Sequence, residues 1–176
     1  MGKPLIAYTI EAARKSGFFD HILVSTDSEE FAEVARGYGA EVPFMRPAEL
    51  ADDFTPTQPV IDHAVDWVKE NWGAPERYCQ FFANPFVTAE SIRGGYKMLR
   101  EQRANCYAPC RSQDLPVFFH DAAQFYWIEL TDLPADRKKG LNLPYFLPRY
   151  MVVDIDTKED WHIAERLYQA FMCDEE

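Results

Sequence analysis

Apolar positions along the chain switch between helical spacing and short continuous runs, with turn-forming residues at each switch. Leu5, Ile6, Ile10 and Ala13 share one face of a helix predicted from Pro4 to Ser16. Pro4 suits its first turn and Gly17 its close. The run His21-Ile22-Leu23-Val24-Ser25 then fits a buried parallel strand. Thr26-Asp27-Ser28 supplies N-cap chemistry for a helix from about Glu29 to Tyr38, with Phe31, Val34, Ala35 and Tyr38 along one side. Gly39 ends it, and Ala40 to Phe44 reads as a second strand. A strand–helix–strand crossover of this kind builds a parallel sheet, whose ligands bind beyond the carboxyl ends of the strands.

A polar, proline-bearing loop follows from Arg46 to Pro59. Helix is predicted from about Val60 to Asn71, with Val60, Ile61, Ala64, Val65 and Val68 inward. Tyr78 to Ala83 reads as a strand, and Thr88 caps a helix that runs to about Gln102. Asn105 to Ala108 is a short strand-like piece, Phe125 to Leu130 a further strand, and Tyr150 to Ile155 the last. A final helix from Lys158 to about Met172 sets Trp161, Ala164, Leu167, Tyr168 and Phe171 on one face. The alternation implies a three-layer α/β sandwich with a mostly parallel sheet, and 176 residues without an internal repeat fit one domain over 1–176.

Composition narrows the class without altering that outline. Hydrophobic residues at 47% and charged residues at 27% are ordinary for a globular chain, which excludes disordered and collagen-like readings. No apolar stretch is long enough to span a bilayer, and Met1-Gly2-Lys3-Pro4 does not open a secretory signal. Only Cys106 and Cys110 of the four cysteines lie close together, with no second pair of zinc ligands, so reduced thiols and a cytoplasmic location are expected. A net charge of −11 argues against nucleic acid as a partner. Small anionic substrates stay open, because arginine, helix N-termini or a divalent cation can hold phosphate locally.

The segment Met151-Val152-Val153-Asp154-Ile155-Asp156-Thr157 ends an apolar run with two acids. On a strand, side chains at i and i+2 share a face roughly 6.5–7 Å apart. Two carboxylates there would repel unless a hard divalent ion lay between them. The alternative is that one caps the following helix and the other is solvated. Asp160 stands as a helix-start residue. Arg111-Ser112-Gln113-Asp114-Leu115-Pro116 and His120-Asp121-Ala122-Ala123-Gln124-Phe125-Tyr126-Trp127 mix hydrogen-bonding groups with aromatics. That mixture suits a hydroxylated, carboxylated ligand or, equally, a surface loop leading into a core strand. Arg46, Thr55 and Thr57 fit either nucleotide contacts or a surface charge and helix caps. His21, His63 and His162 read as structural, and Trp67 with Trp72 as packing.

In order, Gly2-Lys3-Pro4-Leu5-Ile6-Ala7-Tyr8-Thr9-Ile10, Val24-Ser25-Thr26-Asp27-Ser28, Arg46-Pro47-Ala48-Glu49-Leu50-Ala51-Asp52-Asp53, Arg111-Ser112-Gln113-Asp114-Leu115 and Asp154-Ile155-Asp156-Thr157 resemble the motifs of the acylneuraminate (sialic-acid-type) cytidylyltransferases. The His120–Trp127 run is similar to the pseudaminic acid branch. The resemblance implies a nucleotide-diphospho-sugar transferase fold and a nucleotidyltransferase that joins CMP from CTP to a nonulosonic acid, releasing pyrophosphate. It further implies Mg²⁺ on Asp154 and Asp156, cytidine beside Arg46, Thr55 and Thr57, and the sugar beside Arg111, Gln113, Gln124 and Tyr126. In that family a first strand and a Gly-, Arg- and Lys-rich triphosphate loop precede the first of these motifs, and a longer segment lies between Asn105 and Arg111. A chain opening at Met1-Gly2-Lys3 is therefore expected to lack its first strand, and to rearrange its sheet or exchange a strand in a homo-oligomer. Ala83-Asn84-Pro85-Phe86 stands where the family commonly has a threonine-bearing turn. These differences leave a second expectation, a catalytically impaired truncated homologue that binds nucleotide or sugar.

Overall fold

The computed structural model describes residues 2–102, 105–111, 119–130 and 142–173. In chain order the elements are helices α1 (Leu5–Ser16) and α2 (Glu29–Gly37), a 3-10 turn (Ala48–Leu50), helix α3 (Thr57–Asn71), strand β1 (Arg77–Phe81) and helix α4 (Ala89–Gln102). Strands β2 (Asn105–Arg111), β3 (Phe119–Glu129) and β4 (Asn142–Pro144) follow, then a 3-10 turn (Arg149–Met151) and helix α5 (Lys158–Phe171). They fall into two compact units, Met1–Phe18 with Arg77–Glu176, and Phe19–Glu76. No helix among the described residues is long and apolar enough to cross a membrane.

Within Phe19–Glu76 the strand–helix–strand expectation holds in direction but not in extent. Leu23 and Glu41 form an isolated parallel bridge. Val24 N donates to Glu41 O at 2.9 Å and Glu41 N to Ile22 O at 2.7 Å. Among the described residues of this unit no further strand extends the pairing, and a two-stranded pair alone is marginal. Between them α2 starts at Ser28, whose side chain accepts from Phe31 N. Its buried stripe is Ala32 and Ala35, while Phe31, expected inside, is 61% exposed. Helix α3 begins at Thr57, ahead of the expected Val60, because Pro59 falls in the first turn, where its missing N–H costs nothing. His21 stacks on Trp72 (ring centroids 4.1 Å), Trp72 meets Trp67 edge-on (4.9 Å), and Phe44 meets His63 edge-on (4.8 Å). These histidines and tryptophans are packing groups.

The larger unit is built on a four-stranded sheet of order β1-β3-β2-β4. Strand β3 is antiparallel to β1 and β2, and β4 is parallel to β2, so this sheet is mixed where mostly parallel pairing was expected. β3 starts at Phe119, well before the expected Phe125. A bulge hides its first half from the alternation: the register jumps from Tyr107↔Tyr126 to Pro109↔Asp121, and Ala123 sits at φ 47°.

Helix α4 covers one face of that sheet at short range. Phe125 and Trp127 are buried, and Trp127 Nε1 donates to Ile92 O at 3.1 Å. A Cβ at Gly95 would meet Phe125 Cε2 at 2.7 Å and Trp127 Cδ1 at 3.1 Å, and one at Gly94 would strike the Tyr145 ring. Helix α1 packs on α4, and Arg93 Nε donates at 3.1 Å to Ser16 O, an otherwise orphan carbonyl of the last turn of α1.

The strand expected over Tyr150–Ile155 does not form. The Arg149–Met151 turn, entered from Pro148, replaces its start, Val152 is extended, and residues 152–156 join no ladder. Helix α5 follows at the expected Lys158, but only Ala164 of its apolar face is buried, with Trp161 at 38% and Phe171 at 49% exposed. Phe171 instead stacks on Tyr150 at 4.5 Å.

Cys79 and Cys106 both pair with Trp127, from β1 and β2. Two strand spacings, about 9.6 Å, separate their backbones, beyond the reach of a disulfide. Both are free, as is the exposed Cys173. Burial pushes the Cys79 thiol well above its ordinary value and Cys106 up to about 12.

Two outcomes follow from this packing. Gly95→Ala should lose about 1–3 kcal/mol in urea unfolding, because two core rings would have to move. A thiol held protonated by the fold contributes stability that is complete below its ordinary value of 9.0 and lost as pH rises toward 12. Thermal unfolding followed from pH 7 to 11 should therefore fall at the alkaline end, and Cys106→Ala should flatten that fall.

Candidate functional site

The acidic segment is held by side chains. Met151 O accepts from Gln124 Nε2, and Val153 O accepts from Asn84 Nδ2 at 3.4 Å. Gln124, on β3, is completely buried. Among the described residues its Oε1 has no hydrogen-bond partner. Asn84 follows β1 and is 7% exposed. Its Oδ1 accepts from Phe86 N at 2.9 Å, its own N donates to Thr9 Oγ1 at 3.0 Å, and that hydroxyl donates to Asn84 O at 3.1 Å.

Beyond this support Asp154 and Asp156 are exposed. Neither caps α5. That role belongs to Thr157 and Asp160: Asp160 N donates to Thr157 Oγ1 at 3.2 Å and Thr157 N to Asp160 Oδ2 at 2.8 Å. The Thr157 hydroxyl bond, then the Thr157 backbone bond, holds the Asp160 carboxyl below its ordinary range. Among the described residues neither Asp154 nor Asp156 is engaged by a hydrogen bond to its carboxylate or by an ion pair. Two uncommitted carboxylates are a donor set that fits Mg²⁺, which takes one or two protein carboxylates and keeps waters or phosphates for its other positions. No group of three or more His, Cys, Asp or Glu ligands occurs among the described residues.

Gln124 and Tyr126 share the face of β3 opposite Phe125 and Trp127. The Tyr126 hydroxyl donates to Asp121 Oδ2, and Asp121 Oδ1 accepts from Ala123 N at 3.0 Å. The bulge thus returns Asp121 to Tyr126 five residues on. Partial burial, and then the Asp121 carboxylate, raise the Tyr126 hydroxyl above its ordinary value. Arg111 ends β2 opposite Phe119. Its side chain and the whole of Gln113 lie outside the described residues.

In the Phe19–Glu76 unit Arg46 binds the loop before α2. Its Nε donates to Ser25 Oγ at 3.3 Å, an Nη2 bond reaches Ser25 O, and Arg46 N donates to Thr26 O at 2.8 Å. Thr55 answers to other partners, donating to Glu49 O at 3.2 Å and Asp52 Oδ1 at 2.9 Å. Thr57 is the first residue of α3, whose N-cap is Pro56. Sequence reasoning passed over Asn84, Thr9 and Asp121. Asn-Pro is a turn-initiating pair, so Asn84 carried a signal, whereas the carbonyl its amide meets lies 69 residues away.

Thr157→Ala should destabilise the fold by about 1 kcal/mol in urea unfolding, through loss of the α5 cap. Because the Asp160 carboxyl is lowered on folding, its contribution is present above its ordinary value of 3.8 and lost as pH falls below it. The variant's deficit should accordingly shrink in acid.

A sequence model of the cytidylyltransferase family matches residues 1–174. The chain is 31% identical over 206 aligned residues to the pseudaminic acid cytidylyltransferase of Campylobacter jejuni, covering 97% of this chain and 87% of that relative. It is 48% identical over 63 residues to the N-acylneuraminate cytidylyltransferase of Escherichia coli O18:K1:H7, covering 36% of this chain and 15% of that one. An alignment of 206 positions exceeds the 176 residues here, so the Campylobacter relative has stretches this chain does not match. Among solved structures, 4-diphosphocytidyl-2C-methyl-D-erythritol synthase from Anaerococcus prevotii superposes with a TM-score of 0.72 at 12% identity, covering 96% of this chain and 90% of that one. A CMP:2-keto-3-deoxy-manno-octonic acid synthetase complexed with CTP gives 0.67 at 12% identity, covering 97% and 89%. These likenesses assign the α/β fold of nucleotide-diphospho-sugar transferases.

Proposed function

The chain belongs to the cytidylyltransferase family, and on that premise we propose that it transfers CMP from CTP to a nonulosonic acid of the pseudaminic or sialic type, releasing pyrophosphate. The observation that carries the reading is the pair Asp154 and Asp156, exposed and, among the described residues, uncommitted, on a segment tied down from behind. Asp154 and Asp156 would hold Mg²⁺, which supplies neutralisation of phosphate charge. In the transfer, a sugar hydroxyl oxygen forms the new bond to the α-phosphorus while the bond to the departing pyrophosphate breaks. The protein's part in such a displacement is positioning and charge.

Arg46, already fixed to Ser25, retains guanidinium donors for the nucleotide, with Thr55 and Thr57 as hydroxyl partners. Arg111 and Gln113 would take the sugar's carboxylate and hydroxyls, and the Tyr126 hydroxyl with its Asp121 acceptor would serve the same ligand. A raised Tyr126 hydroxyl stays neutral at physiological pH and so presents no negative charge to an anionic sugar. Gln124 serves this face through the backbone it holds. The protein would act in the cytoplasm.

Pyrophosphate release measured with CTP, Mg²⁺ and pseudaminic acid tests the proposal. Release should require all three, and Asp154→Asn should lower it at least about 100-fold, the equivalent of a few kcal/mol of lost charge stabilisation. No release above background, with CMP or sugar still bound in calorimetry, would replace the enzyme by a nucleotide- or sugar-binding homologue.

A further inference from the structure

Met151 closes the Arg149–Met151 turn, and Val153 follows it across Val152, which is extended. A partly or fully buried backbone carbonyl needs a donor, which a neighbouring strand would ordinarily supply. Here no strand pairs with the segment among the described residues. The two carbonyls are met instead by the side-chain amides of Gln124, from β3, and Asn84, from the turn after β1. Both amides are buried, and neither can easily swing elsewhere. Asn84 is fixed by Phe86 N on its Oδ1 and by Thr9 on its backbone. Gln124 is enclosed with its Oε1 unpartnered among the described residues, where the hydrogen bond its side chain makes is the one to Met151 O.

We propose that Asn84 and Gln124 are positioning residues: their amides act as a two-rung substitute for a missing strand and set the backbone that presents Asp154 and Asp156. Neither touches metal or substrate in this role. The inference rests on the reading of that pair as a cation site, but the clamp has consequences of its own. The next residues after Val153 are Asp154, Ile155 and Asp156, and downstream Asp160 Oδ2 accepts from Asp156 N at 3.3 Å and Thr157 N at 2.8 Å as part of the α5 cap. Spacing between the two carboxylates is therefore governed by these two anchors, one on each side. Replacing Asn84 by aspartate keeps the acceptor for Phe86 N and removes the donor to Val153 O. Replacing Gln124 by methionine keeps the bulk and removes the donor to Met151 O.

Backbone 15N relaxation and Mn²⁺-induced broadening of amide resonances on the full chain test this, with thermal unfolding as the control for global damage. In Asn84→Asp, and independently in Gln124→Met, amides 152–156 should lose order while those of α5 and β3 keep theirs. Mn²⁺ should need about ten times the wild-type concentration to broaden residues 154–156. Wild-type order at 152–156 in both folded variants would overturn the proposal, as would unchanged Mn²⁺ dependence alongside unchanged order. If wild type and Asp154→Asn broaden alike, the cation reading fails, and the order of 152–156 alone still decides the clamp. Should Asn84→Asp not fold, Asn84→Ser replaces it under the same criteria.

Discussion

A buried backbone carbonyl has to find a donor, and the segment entering Asp154 has no strand beside it to provide one among the described residues. Much of the larger unit is arranged around that requirement. Gln124 is buried on β3 to reach Met151 O, and Asn84 is drawn under Val153 O. Thr9 of α1 closes on Asn84 with its hydroxyl acting as both donor and acceptor. Three elements distant in sequence thereby meet at one stretch of main chain. The exposed acids beyond it inherit a fixed starting point without spending their own oxygens on it.

The packing of β3 has a separate source. Gly95 lets α4 approach Phe125 and Trp127 more closely than any side chain would permit, and Trp127 returns a hydrogen bond to Ile92 O. Cys79 and Cys106 flank Trp127 in one row and remain neutral thiols through burial. One face of the strand is thus dense apolar packing, and the other carries Gln124 and Tyr126. The bulge at Ala123 adds what a regular strand could not, because it folds Asp121 back to the Tyr126 hydroxyl. Core packing and polar presentation are therefore two sides of the same strand.

Legibility in the sequence followed the range of the interactions involved. The starts of α2 and α5 were readable because their caps are local: Ser28 serves Phe31 N, and Thr157 pairs with Asp160. The ordered motifs identified the family and its fold, and a match over residues 1–174 bears that out. Less was readable where neighbours decide. An apolar run at Tyr150–Ile155 resembles a strand, yet it opens in a 3-10 turn and continues outside any ladder with two carbonyls met by amides, since strand formation needs a partner backbone. Asp121 lay inside a quoted motif, but the bulge that gives it a partner breaks the alternation by which strands are recognised.

By itself the sequence determined the order of helices, the family, and the two carboxylates with an acidic residue and a threonine just behind them. Those are properties of neighbours along the chain, and local hydrogen bonding and periodicity suffice to express them. Tertiary structure alone decided that, among the described residues, neither the Asp154 nor the Asp156 carboxylate meets a hydrogen bond or an ion pair. It alone decided that Asn84 and Gln124 support the chain in front of them. The reason is distance: Asn84 lies 69 residues from the carbonyl it meets, and no spacing rule connects residues that only the packing of α1, the turn after β1 and β3 brings together.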